Sequence, residues 1–262
     1  MLIDAHFHAD DLADLWPEFP GAYRRLAAFG IASVHDGAGL DRTRALLSDA
    51  GPWRLSFGLH PQLPIMDEAD TLARLAAAGE LFAVGECGFD FYGDAPGRVR
   101  DEPNLRIQSA VFEYQLELAE RHGLPIILHL RRATDLLFRY AARLARLPAA
   151  ILHGWAGPPN EAEAFLTRCP SAFFSFGTGL INGNKRAAAS AARLPLSALL
   201  VESDAPFQPP RAAPRPGAPV VRAFSSFEDL PRIEAYLAEL KGVAPEALHE
   251  TLVESFMEAG RR

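Results

Sequence analysis

Short apolar or β-branched runs alternate along the chain with longer segments of helical spacing. The runs are LIDAHF (2–7), IASVHD (31–36), RLSFGL (54–59), LFAVGE (81–86), LPIILH (124–129), AAILHG (149–154), AFFSFG (172–177) and ALLVES (198–203), eight in all. Between several of them lie stretches such as LDRTRALLSDAG, DEADTLARLAAAG and NLRIQSAVFEYQLELAERHG, where apolar residues recur at three and four and Gly51, Gly79 and Gly123 stand as helix stops. Eight strands alternating with helices in 262 residues predict an α/β fold of the (β/α)8 TIM-barrel type, one domain spanning 1–262. An open doubly wound sheet would want a Gly-rich fingerprint after the first strand, and none follows LIDAHF. The Pro-rich stretch from Pro206 to Pro219 reads as a loop over the barrel mouth, because the sequence beyond it suffices for only one or two helices.

Composition narrows the partners. The formal net charge is -7, and the arginine-containing stretches RRATDLLFRYAARLAR and PPRAAPRPGAPVVR are interrupted rather than clustered. A nucleic-acid coat protein is thereby disfavoured, whereas an enzyme acting on nucleic-acid ends is not. The N-terminus MLIDAHFH carries no basic or apolar leader, and no run of 18 apolar residues occurs, so neither secretion nor a membrane is expected. Two cysteines in a chain of this size, Cys87 and Cys169, imply no disulfide framework and suit the cytoplasm. No obligate protein partner is indicated.

Candidate chemistry is concentrated at strand ends. Of the eight histidines, six fall at or next to the C-terminal end of a predicted strand: His6, His8, His35, His60, His129 and His153. Glu86 ends the fourth run, and Asp204 follows the eighth. In a barrel these ends meet on one face, where active sites are built. On a strand, residues two apart share a side, so His6 and His8 can grip one ion while Phe7 packs the other way. Imidazole with carboxylate suits zinc, and also manganese, iron, cobalt or nickel. His35 reads as a cap on the second strand, His122 and His249 as helix residues with no site role, and Cys87 as a buried thiol turned away from Glu86.

Taken together, DAHFH (4–8), GLHP (58–61), VGECGFDFY (84–92), LPIILHLRRA (124–133), HGWAG (153–157) and LLVESDAPF (199–207) resemble, in unbroken order, the TatD family of metal-dependent deoxyribonucleases. The resemblance implies a barrel with two divalent ions, drawn from zinc, manganese, magnesium, iron or nickel. By that resemblance His6, His8 and Asp204 hold the first ion, His129 and His153 the second, and Glu86 bridges them. Leu130 stands where the family commonly has serine, HGWAG replaces the usual HCFSG, and the family's frequent NEP element is absent. Many barrel relatives bridge their metals with a carboxylated lysine, but Lys185 and Lys241, the only lysines, are not at a fitting strand end.

The chemistry expected is hydrolysis of a phosphoester, with single-stranded DNA ends as candidate substrate, by a hydroxide held between two divalent ions. Asp204, a ligand with its second oxygen free, is the expected proton acceptor, and Glu202, two residues earlier, is expected to orient a ligand. His60 and Arg131 are the candidate phosphate contacts. One rival is hydrolysis of an amide, lactone or non-nucleic-acid ester on the same metal pair, since fold does not fix substrate. Another is a catalytically idle barrel used as a partner surface.

Overall fold

Eight parallel strands pair in chain order: β1 Leu2–Phe7, β2 Ala28–Val34, β3 Trp53–Phe57, β4 Ala83–Asp90, β5 Ile126–Arg131, β6 Ala150–Leu152, β7 Ala172–Phe176 and β8 Leu199–Val201. The coordinates are those of a computed structural model, which describes residues 1–211 and 222–260. The C-terminal end of the first strand meets the residues just beyond the last, where Asp204 N–H donates to His6 O (3.0 Å) and His8 N–H to Ala205 O (2.7 Å). Those two bonds bring the sheet round into a barrel, as the strand count led one to expect.

Two hydrophobic layers hold it. Ile3, Ala5, Ile31, Ala83, Ile127, Ile151, Phe173 and Leu200 form the interior cluster, joined by Phe256 from the last helix, Pro245–Glu258. The larger cluster lies between the strands and the surrounding helices and contains Phe7, Phe57, Phe89, Phe174 and Val201 from the sheet. Helix Glu102–His122 ends as expected, with Gly123 left-handed (φ 61°) and its N–H on Ala119 O. Gly51 is not a cap: helix Gly37–Leu47 stops at Ser48, and the glycine lies in the turn beyond. The strand predicted from Ile31 begins earlier, at Ala28, because Ala28, Phe29 and Gly30 pair with Leu2, Ile3 and Asp4. The sequence after the Pro-rich stretch supplies two helices, Leu230–Lys241 and Pro245–Glu258. Of that stretch, 206–211 is described, and the remainder, within 212–221, lies outside the described residues.

Two strands depart from regular pairing, and both departures aim functional groups. Asp4 and Phe7 of β1 pair with Gly30 and Ala32, three steps against two; Val84 and Cys87 of β4 pair likewise with Ile126 and Leu128. An extra residue reverses the alternation beyond it. Ile3 and Ala5 face the interior, yet after the bulge it is His6 that faces inward while Phe7 packs outside. On β4, Ala83 is interior, Val84 and Cys87 are exterior, and Glu86 turns inward. Close strand approach makes glycine necessary here: a Cβ on Gly88 (φ 136°) would lie 2.3 Å from His129 O. Gly88→Ala is therefore expected to destabilise the fold by roughly 2–4 kcal/mol, through strain and displaced β5, as measured by denaturant unfolding. A loss below about 0.5 kcal/mol would show that β5 moves aside without penalty.

Candidate metal centre

At the C-terminal end of the barrel, six imidazoles surround one buried carboxylate. Glu86 Oε2 lies 3.3 Å from His6 Nε2, 3.7 Å from His8 Nε2 and 3.8 Å from His35 Nε2. Its other oxygen, Oε1, contacts His129 Nδ1 and lies 3.0 Å from His153 Nε2 and 3.4 Å from His60 Nε2. Asp204 Oδ1 completes the first side, 3.8 Å from both His6 and His8. All the strand-end residues singled out from sequence are thus brought together, His35 included. Lys185 and Lys241 do not line this cavity, and Lys241 Nζ instead donates to Ala192 O and Leu194 O.

Several rings are oriented from behind. Glu202 Oε1 accepts from His153 Nδ1 at 3.1 Å, and Asp90 Oδ2 accepts from His129 Nε2 at 3.0 Å, which fixes each ring with its other nitrogen toward Glu86. Asp90 was not singled out from sequence, although its place four residues after Glu86 on one strand carries the signal. Its carboxylate is further held by Gln62 Nε2 (2.8 Å) and Tyr92 N–H (2.8 Å). His6 Nδ1 rests 2.9 Å from Ser33 Oγ, itself 2.6 Å from Ser56 Oγ. Cys87 points away, its thiol directed at Ile127 O.

Asp204 differs from expectation in one respect. It sits beyond β8 in a left-handed conformation (φ 50°), which turns Oδ1 back over the histidines. Its second oxygen is not free: Oδ2 accepts from Gln208 Nε2 at 2.6 Å. Gln208 belongs to the start of the Pro-rich segment, whose described part therefore reaches the site.

The electrostatics are those of a cation site. Burial acts to raise the Glu86 carboxyl, but His153, His60, His6 and His129 overcome it and hold the group well below the ordinary carboxylate range. Burial, reinforced by His6, pushes His8 well below the ordinary imidazole value, so its ring stays neutral. Burial also raises Asp204, against the opposing pull of His153 and His6. His6 Nε2 and His8 Nε2 stand only 3.1 Å apart. At that distance one ring can donate to the other, and with both protons off the two lone pairs are close enough to share one cation. Nitrogen and carboxylate donors within 4.8 Å of one another occur in four groups: His6, His8 and Asp204; His6, Glu86 and His153; His8, His35 and Glu86; and His60, Glu86 and His129. These residues fit divalent ions.

The centre opens into a cavity of about 650 Å³, lined further by Gln62, Arg131 and Arg211. Tyr92 and Phe207 stand at its rim, 58% and 49% exposed. His60 and Arg131, the sequence candidates for phosphate, both face it. Residues 3–259 match the family model described as TatD related DNase. The chain belongs to the TatD family. It is 31% identical over 223 residues to the uncharacterized metal-dependent hydrolase YjjV of Escherichia coli K12, covering 79% of this chain and 80% of that one. It is 38% identical over 187 residues to the 3'-5' ssDNA/RNA exonuclease TatD of Erwinia billingiae, covering 70% of this chain and 66% of that protein. The crystal structure of the Escherichia coli YjjV TatD homolog superposes with a TM-score of 0.79 at 26% identity, over 99% of this chain and 97% of that one. An uncharacterized amidohydrolase from Saccharomyces cerevisiae shares the fold, with a TM-score of 0.74 at 13% identity over 99% of this chain and 100% of that one. Among the described residues of this TatD-family chain, no helix is long and apolar enough to cross a membrane.

Proposed function

We propose that this TatD-family chain is a single-domain, metal-dependent hydrolase that cleaves phosphodiester bonds at the ends of single-stranded nucleic acid. One observation carries the reading: the two oxygens of the buried Glu86 carboxylate face different imidazoles, Oε2 those of His6 and His8 and Oε1 those of His129 and His153, an arrangement suited to one ion on each side. His6, His8 and Asp204 would hold the first ion, His129 and His153 the second, with Glu86 shared. Zinc, manganese, magnesium, iron and nickel are the candidates. When bound, two such ions lower the pKa of water from 15.7 toward about 7 and offset charge on a transferring phosphoryl group.

The side chains of the chain itself do the remainder. Asp204 Oδ2 accepts the proton of the attacking water; a carboxylate oxygen has two lone pairs, so the Gln208 bond leaves room for it. His60 Nδ1 accepts from Gln62 N–H at 3.1 Å, which leaves the proton of the neutral ring on Nε2, a donor for a phosphate oxygen. Arg131 adds a guanidinium fork suited to the same group. Tyr92 and Phe207 offer exposed rings on which unpaired bases stack, worth about 1–3 kcal/mol per base. Among the described residues lining the cavity, none favours an amide or lactone over a phosphodiester, and the yeast amidohydrolase shares only the fold. The free, buried thiols of Cys87 and Cys169 support a cytoplasmic setting.

The test is a screen of metal-reconstituted protein against end-labelled single-stranded DNA and RNA, a simple phosphodiester, and a panel of lactones and cyclic amides. Release of nucleotides from strand ends is expected; turnover confined to lactones or amides would overturn the reading. Asp90→Asn, which leaves a neutral partner behind His129, is expected to weaken the ion on that side about 10- to 100-fold while sparing the other. Competition against a chelator measures it, and equal weakening of both ions would count against this role for Asp90.

A further inference from the structure

Two of the six imidazoles around Glu86, His35 and His60, lie outside the ligand set assigned above, and their backbone partners give them opposite chemistry. The Gln62 N–H fixes His60 as a donor toward the centre. His35 is the reverse. Its Nδ1 lies 3.0 Å from Gly58 O, and a carbonyl only accepts, so the proton sits on Nδ1 and Nε2 presents a lone pair to the centre. That carbonyl is not free to shift. Gly58 N–H donates to Val34 O at 3.1 Å, and the backbone is so close to β4 that a Cβ on Gly58 would lie 2.6 Å from Gly85 Cα.

The His35 lone pair is well placed. It is 3.8 Å from Glu86 Oε2, and His8 Nε2 is 3.7 Å from the same oxygen, with all three donor atoms within 4.8 Å of one another. Donors bound about 2.0–2.2 Å from one zinc ion are separated by about 3–4 Å, so little movement is needed to close on an ion. The His35 side chain is 29% exposed toward the cavity, whereas that of His6 is fully buried.

We infer that His35 is a metal ligand of this chain, forming with His8 and Glu86 an outer seat for the divalent ion held on the Oε2 side. The inference rests on the two-ion reading proposed above. His8 Nε2 has a single lone pair, so the outer seat and the inner one of His6, His8 and Asp204 share one ion, and the total per chain stays at two. The outer seat is the one an entering ion meets first. His35 thus strengthens retention of the first ion and gives it a way in.

Calorimetric titration of the metal-free full chain with zinc tests this, in wild type, His35→Ala, His35→Asn and His60→Ala. Asparagine is the decisive variant: its side-chain N–H can still donate to Gly58 O, but it lacks the Nε2 lone pair. Loss of a group behind a ligand weakens metal about 10- to 100-fold, and loss of a ligand weakens it no less. Both His35 variants are therefore expected to bind one of two zinc ions at least 10-fold more weakly, with His60→Ala unchanged in zinc affinity. Cobalt-substituted protein should show an altered visible spectrum in the His35 variants alone. Wild-type zinc affinity and an unaltered cobalt spectrum in His35→Asn would overturn the inference, as would a larger loss in His60→Ala. Fewer than two ions in the wild type would instead overturn the two-ion reading itself.

Discussion

Glu86→Ala is expected to lose both ions together and to lower phosphodiester turnover on the order of 1,000-fold or more. The reason is the position of one side chain. Among the described carboxylates Glu86 alone pairs with histidines of both sets, through Oε2 on one side and Oε1 on the other. It is 2% exposed, so water screens its charge little. Removing it deletes a ligand from each seat and the negative charge that makes two cations tolerable at close quarters. His129→Ala touches one seat only, and should weaken mainly one ion. Elemental analysis after dialysis against a fixed free-metal concentration separates the two variants. Equal losses in Glu86→Ala and His129→Ala would show that Glu86 does not bridge.

Asp204→Asn is expected to keep the fold and, at saturating metal, to lower turnover roughly 100- to 10,000-fold, the usual worth of a positioned acid or base. Asparagine retains the size of aspartate and one carbonyl oxygen but cannot take up a proton. Its amide nitrogen would face Gln208 Nε2, now 2.6 Å from Oδ2, and rotation of the Gln208 amide to present its oxygen relieves that clash. The lost charge also weakens the first ion, so occupancy has to be measured beside rate. Recovery of wild-type turnover once excess metal restores occupancy would make Asp204 a ligand only. Full occupancy without turnover is the expected result.

How much of this was legible beforehand differs from feature to feature. The barrel was legible because its interior and exterior layers write themselves into sequence as eight apolar runs, and because helices between parallel strands need the intervening lengths. The site was legible as a set of residue types at strand ends, since a parallel barrel gathers every such end on one face whatever the register. Two-residue spacing marked Glu202 as able to orient a ligand without saying which, and its Oε1 lies 3.1 Å from His153 Nδ1. Its counterpart Asp90 was overlooked within a motif that had been singled out, because the role of a carboxylate behind a ring depends on which ring lies opposite, and that is a tertiary fact.

The sequence by itself determined which groups could meet: imidazoles and carboxylates at the ends of buried strands, with too few lysines to serve in their place. The tertiary structure decided how they face. Strict alternation from Ile3 and Ala5 points Phe7 inward, and from Ala83 it points Gly85 and Cys87 inward; the bulges on β1 and β4 reverse both and deliver His6 and Glu86 to the centre. A bulge arises from the fit of one strand against its neighbour, so no single strand's sequence records it. The protonation pattern was decided in the same way. His35 and His60 are the same residue type in similar places, yet one is fixed as an acceptor by the carbonyl of Gly58 and the other as a donor by the amide of Gln62. Partners of that kind are backbone atoms brought near by the fold, and backbone atoms are the same at every position of a sequence.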